Sequence, residues 1–246
     1  MSNETMTARR TSRGEILANP GGAAHHGARM NPKLPTLLAP LLALVALASV
    51  RPAVAADTGR VALWNGKDIA GWSVFLGDAT VDRQSVWRVS DGVLHLATKA
   101  SGYLKTEKTY ANYHLHVEWR WPKDAPVNTN SGVLVHLNGE DKVWPACFEC
   151  QLKHGNAGQV VGMGLDIPAA PMDNNRKRAP KFAASSEKPL NEWNTYEIYC
   201  RGDTIEVFIN GVRQNSVEKL PVGAGNVALQ MEGFPIDFRN VWLEPL

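Results

Sequence analysis

The residues with the clearest chemical potential stand in one short stretch, Phe148-Glu149-Cys150-Gln151-Leu152. Apolar Phe148, Cys150 and Leu152 alternate with polar Glu149 and Gln151, which is the signature of a β-strand. Side chains two apart on a strand share a face, so Glu149 and Gln151 project together, roughly 7 Å apart along the chain. A carboxyl beside an amide can move a proton and hydrogen-bond a polar ligand. The same alternation also fits a solvated outer strand face.

Other segments offer comparable groups. In residues 113–121, Tyr113, Leu115, Val117, Trp119 and Trp121 form a core face, and His114, His116, Glu118 and Arg120 form the opposite one. A His-x-His pair with Glu118 could hold a metal, although such a row is more often a solvated strand face. His136 shares a face with Leu134 and Gly132, so it either lines a cleft or is buried. Gln230 and Glu232 point the same way near the C-terminus, and Asp237 and Arg239 share a face nearby. Trp144 is a candidate aromatic platform for a sugar, with Asn130 and Gln151 as amide partners. The glycine-rich segment 155–164 lacks the Lys-Ser/Thr and the helix of a phosphate loop. No Gly-x-Ser-x-Gly elbow occurs.

The elements that must position these groups are short. Alternating runs are expected at 61–64, 85–89, 93–97, 103–106, 113–121, 131–137, 146–152, 158–165, 194–200, 204–209, 213–217, 225–232 and 236–243. Asp91-Gly92, Arg201-Gly202-Asp203 and Asn210-Gly211 separate strands with hairpin chemistry. The Arg-Gly-Asp triplet therefore reads as a turn. A dozen or so strands without a long helical period predict an all-β sandwich. Residues 168–190, with Pro168, Pro171, Pro180 and Pro189, read as one long loop, and Arg176-Lys177-Arg178 within it as a solvated basic run.

The first 56 of the 246 residues contain no Phe, Trp or Tyr. Lys33, the apolar run 34–50 and the small residues Ala53-Val54-Ala55-Ala56 predict a signal peptide over 30–56 and export to the periplasm or beyond. Met30 is an alternative start. Residues 1–29 then read as a disordered extension or as sequence ahead of the true start. The run is short and carries two prolines, so no stable membrane span is expected after cleavage. The formal charge of +2 includes six Lys/Arg and two Asp/Glu before residue 57, which leaves 20 basic against 22 acidic side chains, or −2. That balance gives no electrostatic case for nucleic acid. Cys147 and Cys150 sit on opposite strand faces and should not pair. Cys150 with Cys200 is conceivable, with three buried free thiols as the alternative.

Leu63-Trp64-Asn65-Gly66-Lys67-Asp68-Ile69-Ala70-Gly71-Trp72 resembles the opening of the 3-keto-disaccharide hydrolase domain family. Further motifs match in order: Trp87 to Gly92, Tyr113 to Arg120, Asn130-Ser131-Gly132, Glu149-Cys150-Gln151, Glu192-Trp193-Asn194, Ile209-Asn210-Gly211, and Leu229-Gln230 through Asn240. The likeness spans residues 61–245, within a domain of 57–246. It implies a concanavalin A-like jelly roll of two antiparallel sheets acting on glycosides oxidised at C3 of the sugar. The chain departs from the family pattern at Glu232 and at Lys153-His154-Gly155. Jelly-roll glycosidases generally carry two carboxylates on one strand. Gln151 cannot be a nucleophile, so ordinary retaining hydrolysis is not expected. A 3-keto sugar has an acidified C2 proton, so a base can remove it while the C1 substituent leaves, and water then adds. For that route the strand position beside Gln151 makes Glu149 the expected base or acid, with Glu118 as reserve carboxylate. Gln151, Asn130, Trp144, Gln230 and Glu232 would bind sugar, and Arg120, His136 or a divalent metal would stabilise the enolate. The rival reading is a non-catalytic carbohydrate-binding module, because one fold serves many functions.

Overall fold

Where apolar residues recur at every second position, the backbone pairs into sheets that bury the apolar face. The computed structural model describes residues 59–97 and 99–246, so the expected signal peptide lies outside the described residues. All regular elements among them are strands. In chain order these are β1 (Val61–Ala62), β2 (Trp72–Leu76), β3 (Trp87–Ser90), β4 (Val93–Leu96), β5 (Ser101–Thr106) and β6 (Tyr110–Ala111). Next come β7 (Tyr113–Arg120), β8 (Gly132–Asn138), β9 (Ala146–Gln151), β10 (Val160–Met163), β11 (Met172–Asp173) and β12 (Arg176–Ala179). The chain ends with β13 (Asn194–Arg201), β14 (Thr204–Ile209), β15 (Val212–Val217), β16 (Ala224–Glu232) and β17 (Ile236–Pro245).

These strands form two antiparallel sheets. One runs β15-β14-β13-β7-β17-β4-β3, with β1 also on β17. The other runs β11-β12-β10-β9-β8-β16-β5-β2, with β6 also on β16. Trp119, Val117 and Leu115 of β7, Ile198 of β13, Phe148 and Cys150 of β9, and Val133 of β8 meet in the core between the sheets. Each such side chain contributes roughly 1.5–3 kcal/mol by leaving water.

The second sheet is also covered on its far face. Tyr103, Leu134, Leu137, Cys147, Met163 and Ala228 form a smaller buried cluster there, with Phe75 against it. The β8–β9 connection is held over this face. The Tyr103 hydroxyl (2.8 Å) and the Lys105 ammonium (2.6 Å) both donate to the Asp141 carboxylate. β9 is consequently buried on both faces, and the solvated-face reading of Glu149 and Gln151 does not hold: they are 2% and 4% exposed.

Residues 168–190 are not one long loop. Asn174 and Asn175 both adopt positive φ (47° and 60°), which is what a two-residue hairpin turn requires. That turn joins β11 to β12, and β12 pairs with β10 through Val161↔Arg178. The basic run is therefore a strand of the second sheet. All three cysteines are buried free thiols, with Cys147 on the face opposite Cys150.

Candidate active site

The far face of the second sheet carries a recess of about 280 Å³ lined mainly by polar groups, among them Asn130, Glu149, Gln151, Lys153, Arg176, Arg178 and Glu232. β9 supplies Glu149 and Gln151 and β16 supplies Glu232. Asn130 precedes β8, and β12 supplies the two arginines. Register explains the meeting: Gly132 lies opposite Gln151, and Glu149 is flanked by Leu134 on one side and Val161 on the other.

Gly132 is required by space. A Cβ there would stand 2.8 Å from Glu149 Cγ and Oε1 and 3.0 Å from Gln230 Oε1. The bare backbone lets these two side chains converge. Gln230 is 1% exposed and stands between the two carboxyls, its Nε2 donating to Glu232 Oε1 at 3.2 Å. Its Oε1, on the Glu149 side, is buried without a donor. Asn130 Nδ2 donates to Glu232 Oε2 in a short contact.

The two carboxyls differ in charge state. Burial, and then the neighbouring Glu232, push Glu149 up from 4.5 to about 8. None of the described residues donates a hydrogen bond to it. Glu232 is also raised by burial, but Arg176, Lys153 and Arg178 oppose the rise, and two amides donate to its oxygens. A hydrogen-bonded carboxylate near cations is the one that ionises first. Glu149 therefore holds its proton to higher pH than Glu232 does.

The amide of Gln151 is fixed by the backbone. Its Oε1 accepts from the N–H groups of Leu152 (3.0 Å) and Lys153 (2.8 Å), leaving Nε2 for a ligand. Arg178 is tied to Asp173 (3.1 Å), whereas Arg176 and Lys153 form no ion pair among the described residues. Arg176 instead lies over the ring of Trp144 at 4.7 Å.

Three expected site residues are elsewhere. Glu118 and Arg120 project from β7 on the outer face of the other sheet, with the whole sandwich between them and the recess. Glu118 accepts from Arg239 Nε and Asn240 Nδ2, each at 2.6 Å, and these partners and His116 hold its carboxyl low against the opposing effect of burial. Arg120 Nε donates to Asp237 Oδ2 (2.8 Å). Alternation tells in from out but not which sheet's outer face is roofed. His136 sits at a β-bulge in the core, fully buried, with Nδ1 on the carbonyl of Val222 (3.1 Å). Burial lowers its pKa, which keeps the ring neutral. Gln230 supports the carboxyl pair rather than lining the recess, and Trp144 borders an adjoining space.

The His-x-His pair does not fit a metal. His114 and His116 are bridged by Glu197 (2.6 and 2.7 Å) and stacked on Tyr199 and Trp242. Among the described residues no three His, Cys, Asp or Glu side chains are arranged to hold an ion. A divalent cation in the recess would face Lys153, Arg176 and Arg178 with two carboxyls to bind it, so that donor set fits poorly as well.

What sequence reasoning missed is the positive lining, Arg176, Arg178 and Lys153, together with the supporting Gly132. The Asn174-Asn175 pair, two residues that tolerate positive φ in a hairpin turn, was the signal for the first two.

Residues 59–244 match the model of the 3-keto-alpha-glucoside-1,2-lyase-like domain. The chain belongs to this family. No curated protein matches it. Among solved structures, the chain is similar to a Parabacteroides distasonis ATCC 8503 protein named as a candidate glycosyl hydrolase, with TM-score 0.56 and 22% identity over 76% of this chain and 94% of that one. It is similar to a Bacillus licheniformis β-glucanase, with TM-score 0.54 and 11% identity over 76% of this chain and 98% of that one. It also resembles the carbohydrate-binding module CBM66 of Bacillus subtilis, with TM-score 0.51 and 9% identity over 71% and 95%. These likenesses establish the jelly-roll fold, which catalytic and binding domains share. Family membership places the domain among carbohydrate-active proteins.

Proposed function

We propose that this is an exported enzyme that cleaves 3-keto-glycosides by β-elimination followed by hydration, which amounts to hydrolysis. The observation that carries the reading is the unequal carboxyl pair, Glu149 and Glu232, around Gln230 in a recess lined by cations. The ionised Glu232 takes the C2 proton of the oxidised ring. The C2–H electrons form a C2–C3 double bond and the ketone oxygen becomes an enolate. Arg176 and Lys153 are the unpaired cations able to meet that oxyanion, in the role sequence reasoning gave to Arg120, His136 or a metal. One donor of this kind is typically worth about 2.7–4 kcal/mol of barrier. The enolate then collapses to a C1–C2 double bond. The C1–O electrons go to the leaving oxygen, and neutral Glu149 protonates it. Water adds back across the double bond, hydroxyl to C1 and proton to C2. Gln151 Nε2 and Asn130 hold ring hydroxyls.

The charge states fix the pH dependence. Activity rises as Glu232 ionises and falls as pH climbs through about 8, where Glu149 loses the proton it must donate.

The test is to incubate the protein with an oxidised and an unoxidised disaccharide and measure free sugar. Release from the oxidised one alone, reduced by at least about 10²-fold in Glu149→Gln, is expected. Binding of the oxidised sugar without release would make the domain a binding module.

A further inference from the structure

The outer face of the first sheet, across the sandwich from the recess, carries a second constellation that the proposed reaction does not use. Asp91 and Gly92 both adopt positive φ (52° and 74°), so β3 and β4 are joined by a two-residue hairpin turn that fixes their register. Arg88 then stands opposite His95, His95 opposite Asp237, and Asp237 opposite Arg120. Ser90 lies two residues beyond Arg88 on the same strand face, diagonal to His95 and within reach of its ring.

The hydrogen bonds across this row run in one direction. His95 Nδ1 lies 2.6 Å from Asp237 Oδ1. A carboxylate only accepts, so Nδ1 carries the proton and Nε2 is left as an acceptor. Ser90 Oγ, 3.0 Å from Nε2, therefore donates to it. Asp237 is buried, and its other oxygen accepts from Arg120 Nε at 2.8 Å, which holds the carboxylate in place. A hydroxyl, a base and a group that orients the base, in contacts of about 2.6–3.2 Å, is the arrangement that activates a serine. It is recognised by geometry, whatever the chain order. A donor for the developing oxyanion is also at hand. Arg88 Nη1 donates to Ser90 Oγ at 3.2 Å, and its guanidinium forms no ion pair among the described residues. Arg88 is exposed while Ser90 and His95 are half-buried, so the cluster opens to solvent on the Arg88 side.

A recess of about 60 Å³ borders His95 and Arg88. At about 30 Å³ per water, it has room for a methyl-sized acyl group and not for a long chain. We infer that Ser90, His95 and Asp237 form a second active site, one that hydrolyses acetyl esters. The Ser90 oxygen bonds to the acetyl carbon as its proton passes to His95 Nε2. The carbonyl oxygen, negative in the tetrahedral adduct, faces Arg88. The ester C–O bond breaks, and the leaving alcohol takes the proton from His95. Water then attacks the acetyl-serine with His95 again as base, which releases acetate and restores the hydroxyl. Asp237 touches neither reactant and is a positioning residue. Neither Glu149 nor Glu232 takes part, so this activity is independent of the function proposed above.

The experiment treats the folded full chain with a fluorophosphonate, which labels activated serines, and maps the label by mass spectrometry. Hydrolysis of para-nitrophenyl acetate and para-nitrophenyl octanoate is followed alongside. The label should fall on Ser90 in native protein and be absent after denaturation in urea. Labelling should slow by at least about 10²-fold in His95→Ala. Asp237→Asn should slow it comparably, and Asp237→Glu should restore part of the rate. The acetate should be cleaved at least about tenfold faster than the octanoate, and Ser90→Ala should abolish its cleavage. No label on Ser90 in the folded wild type, wild-type labelling in His95→Ala or Asp237→Asn, or unchanged acetate cleavage in Ser90→Ala would overturn the second site. Octanoate cleaved as fast as acetate would overturn the acetyl assignment. Should His95→Ala fail to fold, Ser90→Ala, which removes a single half-buried hydroxyl, decides.

Discussion

Replacing Glu149 by Gln should make the protein progressively more stable than wild type as pH rises. Glu149 is 2% exposed, and burial together with Glu232 lifts it from an ordinary 4.5 to about 8. The sign follows from linkage. A carboxyl whose folded-state pKa is raised binds its proton more tightly when folded. Its contribution is fully present below pH 4.5 and is lost as pH climbs to about 8. Each pH unit in that window removes about 1.4 kcal/mol, so the whole span amounts to as much as about 5 kcal/mol. Gln has nearly the shape of the neutral acid and does not titrate. The stability difference between variant and wild type should be small near pH 4.5, widen steadily, and level off above about 8. Urea denaturation followed by tryptophan fluorescence, at steps from pH 5 to 9, reads this directly. A difference flat to within about 1 kcal/mol across the series would refute the buried, proton-holding Glu149 on which the site chemistry depends. In the same variant, turnover of a 3-keto-glycoside should fall by about 10²–10⁴.

Gly132→Ala should reduce turnover by about 10²-fold with modest loss of stability, because its methyl must displace Glu149 and Gln230 from within about 3 Å, and misplacement on that scale has this effect; kinetics at wild-type levels would show that the convergence of these side chains does not matter. Glu118→Ala should leave turnover within about twofold of wild type and lower stability by about 1 kcal/mol or less, since its partners Arg239 and Asn240 are on a partly exposed outer face; a large kinetic defect would contradict its remoteness from the recess. Both are checked by steady-state kinetics beside a thermal melt.

Much of the fold was legible because period-two alternation is a local property. β7 and β13 each present a buried residue at every second position, and that pattern is plain in Tyr113–Trp119 and Tyr196–Cys200. The pairing of Glu149 with Gln151 on one face was legible for the same reason. What alternation could not supply was the identity of the roofed face. Glu118 and Glu149 look alike in sequence, each in a run of alternating residues. Only the β8–β9 connection, anchored through Asp141 to Tyr103 and Lys105, and the β11–β12 hairpin decide that Glu149 is the enclosed one. Arg176 and Arg178 were missed for a related reason. A four-residue basic strand has no apolar pattern of its own, and it exists through its pairing with β10. His136 misled in the opposite direction: a bulge with positive φ (52°) breaks the alternation and turns the ring into the core, between the edges of Tyr113 and Phe148.

In the proposed reaction, bond cleavage begins with loss of the C2 proton. Running the reaction on a 3-keto-disaccharide in deuterated water and examining the released oxidised sugar by NMR tests this in one measurement. Deuterium is expected at C2 in every product molecule that has undergone elimination and hydration, and none at C2 in uncleaved substrate under conditions where the leaving group departs quickly. Released sugar that keeps its original C2 hydrogen would mean direct displacement at C1, and would contradict the roles given to Glu149 and Glu232.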